Sequence, residues 1–271
     1  MSEITKLIVL LNNFDSDVEF LEMDNKTDLR RTSEKELRKL AKLALQNHSR
    51  IGFFTPKVKY VIETRIREDE LSPEQFEDWQ HIRKIILALR LLHEGDVNAI
   101  CSFWLQGDRI TGLSYPEHSQ LFDENPYFLK KEETVSFKRL WKAIQKIEDD
   151  KAYLTFPLEQ FTKAFEKRAA GFDSEATVDY AIALELLVFH KEERSIEPAG
   201  KVIGIAVGML LGNNEKERIE IKRSLERAYK IRNALVHGNL KKIHKYESEL
   251  IKVSTRIENY LRNSLRLLVE E

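Results

Sequence analysis

The chain has 271 residues, 42% hydrophobic and 33% charged, with 10 Gly, 6 Pro and a formal net charge of −1. This length can bury one large or two ordinary cores, and so little Gly and Pro disfavours disorder, collagen and a turn-rich β-sandwich. Near-neutral charge advertises no nucleic-acid or membrane partner for the molecule as a whole, so any basic patch must be local. A single cysteine, Cys101, excludes an intramolecular disulfide and zinc sites of the repeated Cys-x-x-Cys type.

Met1 to Phe14 carries a short apolar run with one Lys ahead of it and no small-residue cleavage site, so it does not read as a signal peptide and the expected location is cytoplasmic. Ser33 followed by Glu36 forms a capping box, and Leu37, Leu40, Ala41 and Ala44 continue it as a helix ending near Asn47. The β-branched and aromatic run from Phe53 to Ile66 predicts a strand. Ser72 and Pro73 read as the start of a helix bearing Phe76, Trp79, Ile82, Ile86, Leu89 and Leu92, stopped at Gly95. Val97 to Leu105 reads as a further strand, and Gly107 to Pro126 as a loop or linker. These signals place a domain boundary near residue 130.

Six helical patterns follow: Val135 to Ile147, Leu158 to Ala170, Glu175 to Phe189, Ala199 to Leu211, Lys216 to His237 and Ile243 to Leu268. The expected fold is therefore mainly α, with a smaller α+β domain over residues 1–130 and a helical bundle over 131–271. Val202 to Leu211 is too short to cross a bilayer and reads as a buried helix. Gly200, Gly204, Gly208 and Gly212 recur every fourth residue, which predicts a smooth ridge and a close helix crossing inside the bundle, with a dimer interface as the second choice. The last helix keeps Tyr246, Leu250, Val253, Ile257, Tyr260, Ser264 and Leu268 near a heptad rhythm.

Two charges interrupt apolar patterns. In the helix from Lys216, the face of Ile221, Leu225, Ala228, Tyr229, Leu235 and Val236 contains Arg232, a position that costs free energy unless the arginine is paired or lines a wet cleft. Glu185 is the only charge in AIALELLVF and is its natural partner. His237 lies in the last turn, with Gly238 as a left-handed cap, where a histidine can act as a general acid. Positive charge gathers here: Lys222, Arg223, Arg227, Lys230, Arg232, Lys241, Lys242 and Lys245 face only Glu226, a balance that suits a phosphate-rich ligand such as RNA or, equally, a solvated helix face. His81 and His93 share a helix without a carboxylate or Cys at ligand spacing, and no Gly-x-Ser-x-Gly elbow or phosphate loop is present, so neither a metal nor a cofactor is expected. His118 and His244 read as surface residues.

The segment YKIRNALVHG, read with DYAIALELLVF and the apolar helix ending MLLG, resembles the Arg-x(4)-His signature of the HEPN superfamily and its Apea-like subgroup; ALRLLHEGDV is similar to the N-terminal half often fused in that subgroup. The resemblance covers residues 135 to 271 well and the first half loosely. It implies a metal-independent endoribonuclease acting as a homodimer, with His237 as proton-transfer group, Arg232 stabilising phosphate charge, Asn233 orienting the phosphate or the histidine, and Glu185 holding Arg232. The RNA-binding residues would be Lys222, Arg223, Arg227, Lys230, Lys241, Lys242 and Lys245. Residues 1–130 would position substrate or meet an unknown trigger, and the setting would be phage defence or toxin-like arrest. The alternatives are a non-catalytic HEPN module that binds RNA or protein, and a purely structural network of Arg232, Glu185 and His237.

Overall fold

A computed structural model describes residues 4–47, 58–67, 75–107, 109–114, 125–190 and 197–271. The chain is mostly helical, with strands confined to its first half among the described residues, and it divides into two compact units, Met1–Lys142 and Ala143–Glu271. The division, after Lys142, falls within a helix.

In the first unit, β1 (Ile4–Asn12), β2 (Phe14–Ser16), β3 (Phe20–Glu22), β4 (Thr27–Arg31), α1 (Glu34–Asn47), β5 (Tyr60–Arg67), α2 (Gln75–Leu92), β6 (Asn98–Gln106), β7 (Arg109–Ser114), β8 (Tyr127–Leu129) and α3 (Thr134–Gln145) follow in order. Six strands form an antiparallel sheet in the order β3-β4-β5-β1-β6-β7, while β2 and β8 pair in parallel. The apolar run at the N-terminus is β1, a central strand. Leu7, Val9 and Leu11 point to one face and Ile8 and Leu10 to the other, and all are buried. Ile8 and Leu10 pack with Leu40 of α1, Val61 and Phe103, whereas Thr64 shares the opposite face, where Thr27 meets His81 of α2 at 3.2 Å. Burial on both faces removes the alternation by which a strand is read from sequence.

Ser33 Oγ accepts the Glu36 N–H at 3.2 Å, one half of the expected capping box, while the Glu36 carboxylate accepts from Arg30 and from the Thr32 hydroxyl. Of the strand expected from Phe53 to Ile66, the part from Tyr60 is β5, and residues 51–57 lie outside those described. Ser72, Pro73 and His118 also lie outside them. The stretch read as a loop after Gly107 contains β7, which forms a hairpin with β6 through Gly107 at φ 58°. Val97 and Gly95 flank the close of α2 as expected, and Gly95, at φ 136°, lies so near Tyr127 that an added Cβ would come within 2.9 Å of its Cα.

His81 binds Asp24 at 3.2 Å and stacks edge-on against Trp141, and His93 pairs with Glu133 at 3.0 Å. Burial raises the Asp24 carboxyl, but hydrogen bonds from His81 and from the backbone of Lys26 and Thr27 outweigh it and leave the group at about 2. A carboxyl depressed in the folded state stabilises it above the unfolded pKa, and that contribution disappears as pH falls through the folded value. Asp24→Asn is therefore expected to cost about 1 kcal/mol at neutral pH, with the difference from wild type closing between about pH 4 and pH 2 in urea titrations.

The second unit contains α4 (Ile147–Asp150), α5 (Thr155–Ala169), α6 (Asp173–Val188), α7 (Ala199–Leu211), α8 (Glu215–Val236), α9 (Leu240–Tyr246) and α10 (Leu250–Glu270). α6 is apolar around most of its circumference and buries Tyr180, Ala181, Ala183, Leu184 and Leu187, which makes it the central helix, packed on α5, α8 and α10. Among the described residues no helix is long and apolar enough to cross a membrane.

The glycine ridge of α7 runs against α8. A Cβ on Gly200 would lie 2.7 Å from the Tyr229 Cβ, and one on Gly204 would lie 3.0 Å from the Lys222 carbonyl oxygen. The crossing is thus internal to the bundle. Its opposite edge is exposed, with Met209 62% accessible, so α7 is buried along one side and not all round as expected. Gly204→Val is expected to cost about 1–3 kcal/mol through backbone displacement, whereas Met209→Ala should change stability by less than about 0.5 kcal/mol, both read by chemical denaturation.

The helix expected from Ile243 to Leu268 is broken. Arg227 of α8 stacks on Tyr246 at 4.3 Å and forms two hydrogen bonds with Glu249, at 2.7 and 3.1 Å, holding the turn between α9 and α10. The buried face of α10 also differs from the expected heptad, because Glu258 and Arg262 enter the core with Val253, Ile257, Leu261 and Leu265.

Candidate active site

The α8 helix begins with the Asn214 side chain accepting the Glu217 N–H and ends in a complete Schellman motif. Gly238, at φ 61°, donates its N–H to Leu235 O at 3.1 Å, and Asn239 donates to Ala234 O at 3.0 Å. His237 is the C-cap, with its own N–H bonded to Asn233 O at 3.1 Å and its side chain in solvent. The sequence RNALVHG thereby fixes the backbone of His237 while leaving the imidazole free to meet a ligand.

The buried stripe of α8 is Ile221, Leu225, Ala228, Tyr229, Ile231 and Ala234. Leu235 is only half-buried and Val236 is 51% exposed, because the helix is leaving the bundle at its last turn; neither completes the core face as expected. Burial pushes the Tyr229 phenol well above its ordinary value, and its hydroxyl donates to Ala181 O at 2.9 Å, tying α8 to α6 three residues before Arg232.

Arg232 reaches Glu185 of α6 at 3.5 Å, with side-chain exposures of 21% and 30%. The charge on α6 is at the rim of the bundle and not in its core. Arg232 also donates to Asn233 Oδ1 at 3.2 Å, and its Nε is buried without a hydrogen-bond partner. The guanidinium is therefore oriented but not saturated; the buried Nε is closed to solvent, so an anion would be met by the remaining Nη protons. A pair this long and this exposed is worth less than about 1 kcal/mol, so removing Arg232 would not strand a buried carboxylate, contrary to the purely structural reading.

At about 100° per residue, Arg223, Lys230 and His237 recur every seventh position and form one exposed line along α8. Arg232 sits about 140° from His237 and about half a turn from Arg223, on the side facing α6. The expected cluster thus separates. Lys241, Lys242 and Lys245 are exposed on α9, Lys222 lies against Gly204 and is 3.9 Å from Glu226, and Arg227 is engaged by Glu249 and Tyr246. His244 is on the surface, 3.7 Å from Glu247. Among the described residues no three His, Cys, Asp or Glu side chains are grouped to hold a metal ion.

Sequence reading missed two features of this unit. One is the buried network in which Glu258 binds both Arg168 and Arg262 and accepts from the Tyr180 hydroxyl at 2.9 Å. The other is a cationic cleft between α8 and α10 whose only sequence signal is Lys252 and Arg256 at i and i+4. Comparison of the chain with protein-family models, with curated proteins and with solved structures returns no match.

Proposed function

We propose that the chain is a metal-independent endoribonuclease of the Apea-like HEPN type, cutting RNA at a site composed from two copies of its helical unit. The supporting observation is the placement of Arg232 and His237 on different sides of a well-capped helix, each with hydrogen-bonding capacity to spare. One protomer cannot readily aim both at a single phosphate, but two copies can contribute one each.

In this mechanism His237 of one copy accepts the proton of a ribose 2′-hydroxyl as its oxygen attacks the adjacent phosphorus. The bond to the 5′-oxygen breaks, and the leaving oxygen takes a proton from solvent water, so that one histidine and one arginine, from different copies, complete the site. Arg232 binds the equatorial oxygens as negative charge accumulates, using the planar donors that Glu185 leaves open. The products are a 2′,3′-cyclic phosphate and a 5′-hydroxyl. Asn233 orients Arg232, and the exposed line through Arg223 and Lys230 carries the strand past His237. Phage defence or toxin-like arrest is the setting this reading implies, with residues 1–130 meeting a trigger or regulator.

Incubation of the protein with total RNA and tRNA in EDTA, with and without cell extract as a source of trigger, tests the reading. Cyclic-phosphate ends, with DNA left whole, are the expected result. RNA that binds the basic line yet stays intact under every condition would replace the nuclease by a binding module.

A further inference from the structure

A cavity of about 180 Å³ opens between α8 and α10. Ser224 and Arg227 line it from α8, Glu249 lies at its end, and Lys252, Arg256 and Tyr260 form its other wall at i, i+4 and i+8 of α10. Its floor is aliphatic. Three cations face one carboxylate, and that carboxylate is already bound by Arg227. Lys252 and Arg256 are exposed; Arg227 and, after it, the Lys252 charge help hold the Glu249 carboxyl below its ordinary value, and neither Lys252 nor Arg256 makes a hydrogen bond or an ion pair within 4.0 Å among the described residues. Like charges one turn apart repel each other and destabilise a helix, so they gain from an anion between them. Arg227 is pre-organised, since stacking on Tyr246 and the two bonds to Glu249 hold its guanidinium in place.

The cavity is smaller than the range of roughly 300–1,000 Å³ common for whole small-molecule ligands. A phosphoryl group with part of its sugar fits that volume, and the remainder of a longer ligand would lie outside. Ten residues of α8 separate Arg227 from His237, a rise of about 15 Å, and the exposed line of Arg223 and Lys230 runs alongside.

We propose that this cleft is a phosphate subsite for the RNA strand, set back from His237, in which Lys252 and Arg256 clamp a backbone phosphate, Ser224 donates to it and Tyr260 packs against the adjoining sugar or base. The proposal rests on the ribonuclease reading for its ligand, while its chemistry is that of phosphate binding. The site grips the strand away from the bond that is cut, so it governs affinity and register and takes no part in proton transfer.

The test uses the full chain, a 2′-O-methyl oligoribonucleotide that lacks the attacking hydroxyl, and inorganic pyrophosphate as a small competitor. Lys252→Glu combined with Arg256→Glu is expected to weaken oligonucleotide binding on the order of tenfold and to reduce the steepness of its salt dependence by about one power per lost contact, with an unchanged circular dichroism spectrum. Equal affinity and equal salt dependence in wild type and variant would overturn the subsite while leaving the RNA reading intact. Pyrophosphate binding that needs Lys252 and Arg256, in a protein that ignores the oligonucleotide, would support the phosphate site and reject RNA as its source. Binding of neither probe to wild type would overturn both.

Discussion

His237→Ala is expected to lower RNA cleavage by about 10²–10⁴-fold, the usual contribution of a positioned proton-transfer group, without lowering the thermal midpoint. The imidazole is exposed, and what His237 contributes to the fold is backbone: its N–H bonds to Asn233 O, and its φ of −89° and ψ of 5° suit alanine equally well. Arg232→Ala is expected to lower cleavage by about 10²–10³-fold through loss of charge stabilisation on the phosphate oxygens. Its stability cost should remain below about 1 kcal/mol, because Glu185 is rehydrated at the rim. Mixing the two inactive variants separates a composite site from a single-chain one. A mixed dimer of His237→Ala and Arg232→Ala protomers retains one intact arginine and one intact histidine across the interface, so partial activity should return. Two inactive variants that stay inactive after exchange of subunits is confirmed would remove the composite site from the mechanism.

The largest stability effect is expected at Glu258, far from these residues in role. Glu258 and Arg262 are 2% and 3% exposed, Arg168 binds the same carboxylate, and the Tyr180 hydroxyl donates to it. Burial, with the neighbouring Glu258 charge, pushes the Tyr180 phenol well up, so this hydrogen bond has a neutral donor. Glu258→Ala leaves guanidinium charge in the core without its counter-charge, at a cost of about 3–5 kcal/mol, a large part of the stability of an ordinary domain. Glu258→Gln retains an acceptor for Tyr180 and should lose less. If chemical denaturation finds Glu258→Ala within about 1 kcal/mol of wild type, the network is not what joins α5, α6 and α10.

Much of the local structure was legible. Ser33 and Glu36 marked a helix start because a side-chain oxygen three residues before an N–H can satisfy it without tertiary help. Gly238 marked the end of α8 for a comparable reason: the left-handed backbone of a Schellman cap carries no steric penalty at glycine. Gly200, Gly204 and Gly208 of α7 announced a close crossing because their spacing places them on one side of any helix. The central strand β1 was not legible, since a strand covered on both faces has no alternation to read.

Helical periodicity gives the positions that share a line along a helix, but it does not say which line meets a neighbour. For α8 and α10 the tertiary packing chose. Val236, apolar, was left in solvent where α8 departs from the bundle, and Glu258 and Arg262, charged, were taken into the core. That second choice depends on Arg168 and Tyr180, which lie on other helices and are about 80 to 90 residues away in sequence. The pairing of Arg232 with Glu185 was foreseeable from two charges in apolar runs, but its looseness was not, because exposure depends on where α6 ends relative to α8. The amino-acid sequence alone determined most of the helices, the caps at Ser33 and Gly238, the glycine crossing and the Arg-x(4)-His spacing with the angle of about 140° it sets between those two side chains, all of which follow from local backbone chemistry. Only the tertiary structure decided which charges are buried and which cations remain open to phosphate, because each of these depends on surfaces supplied by distant segments.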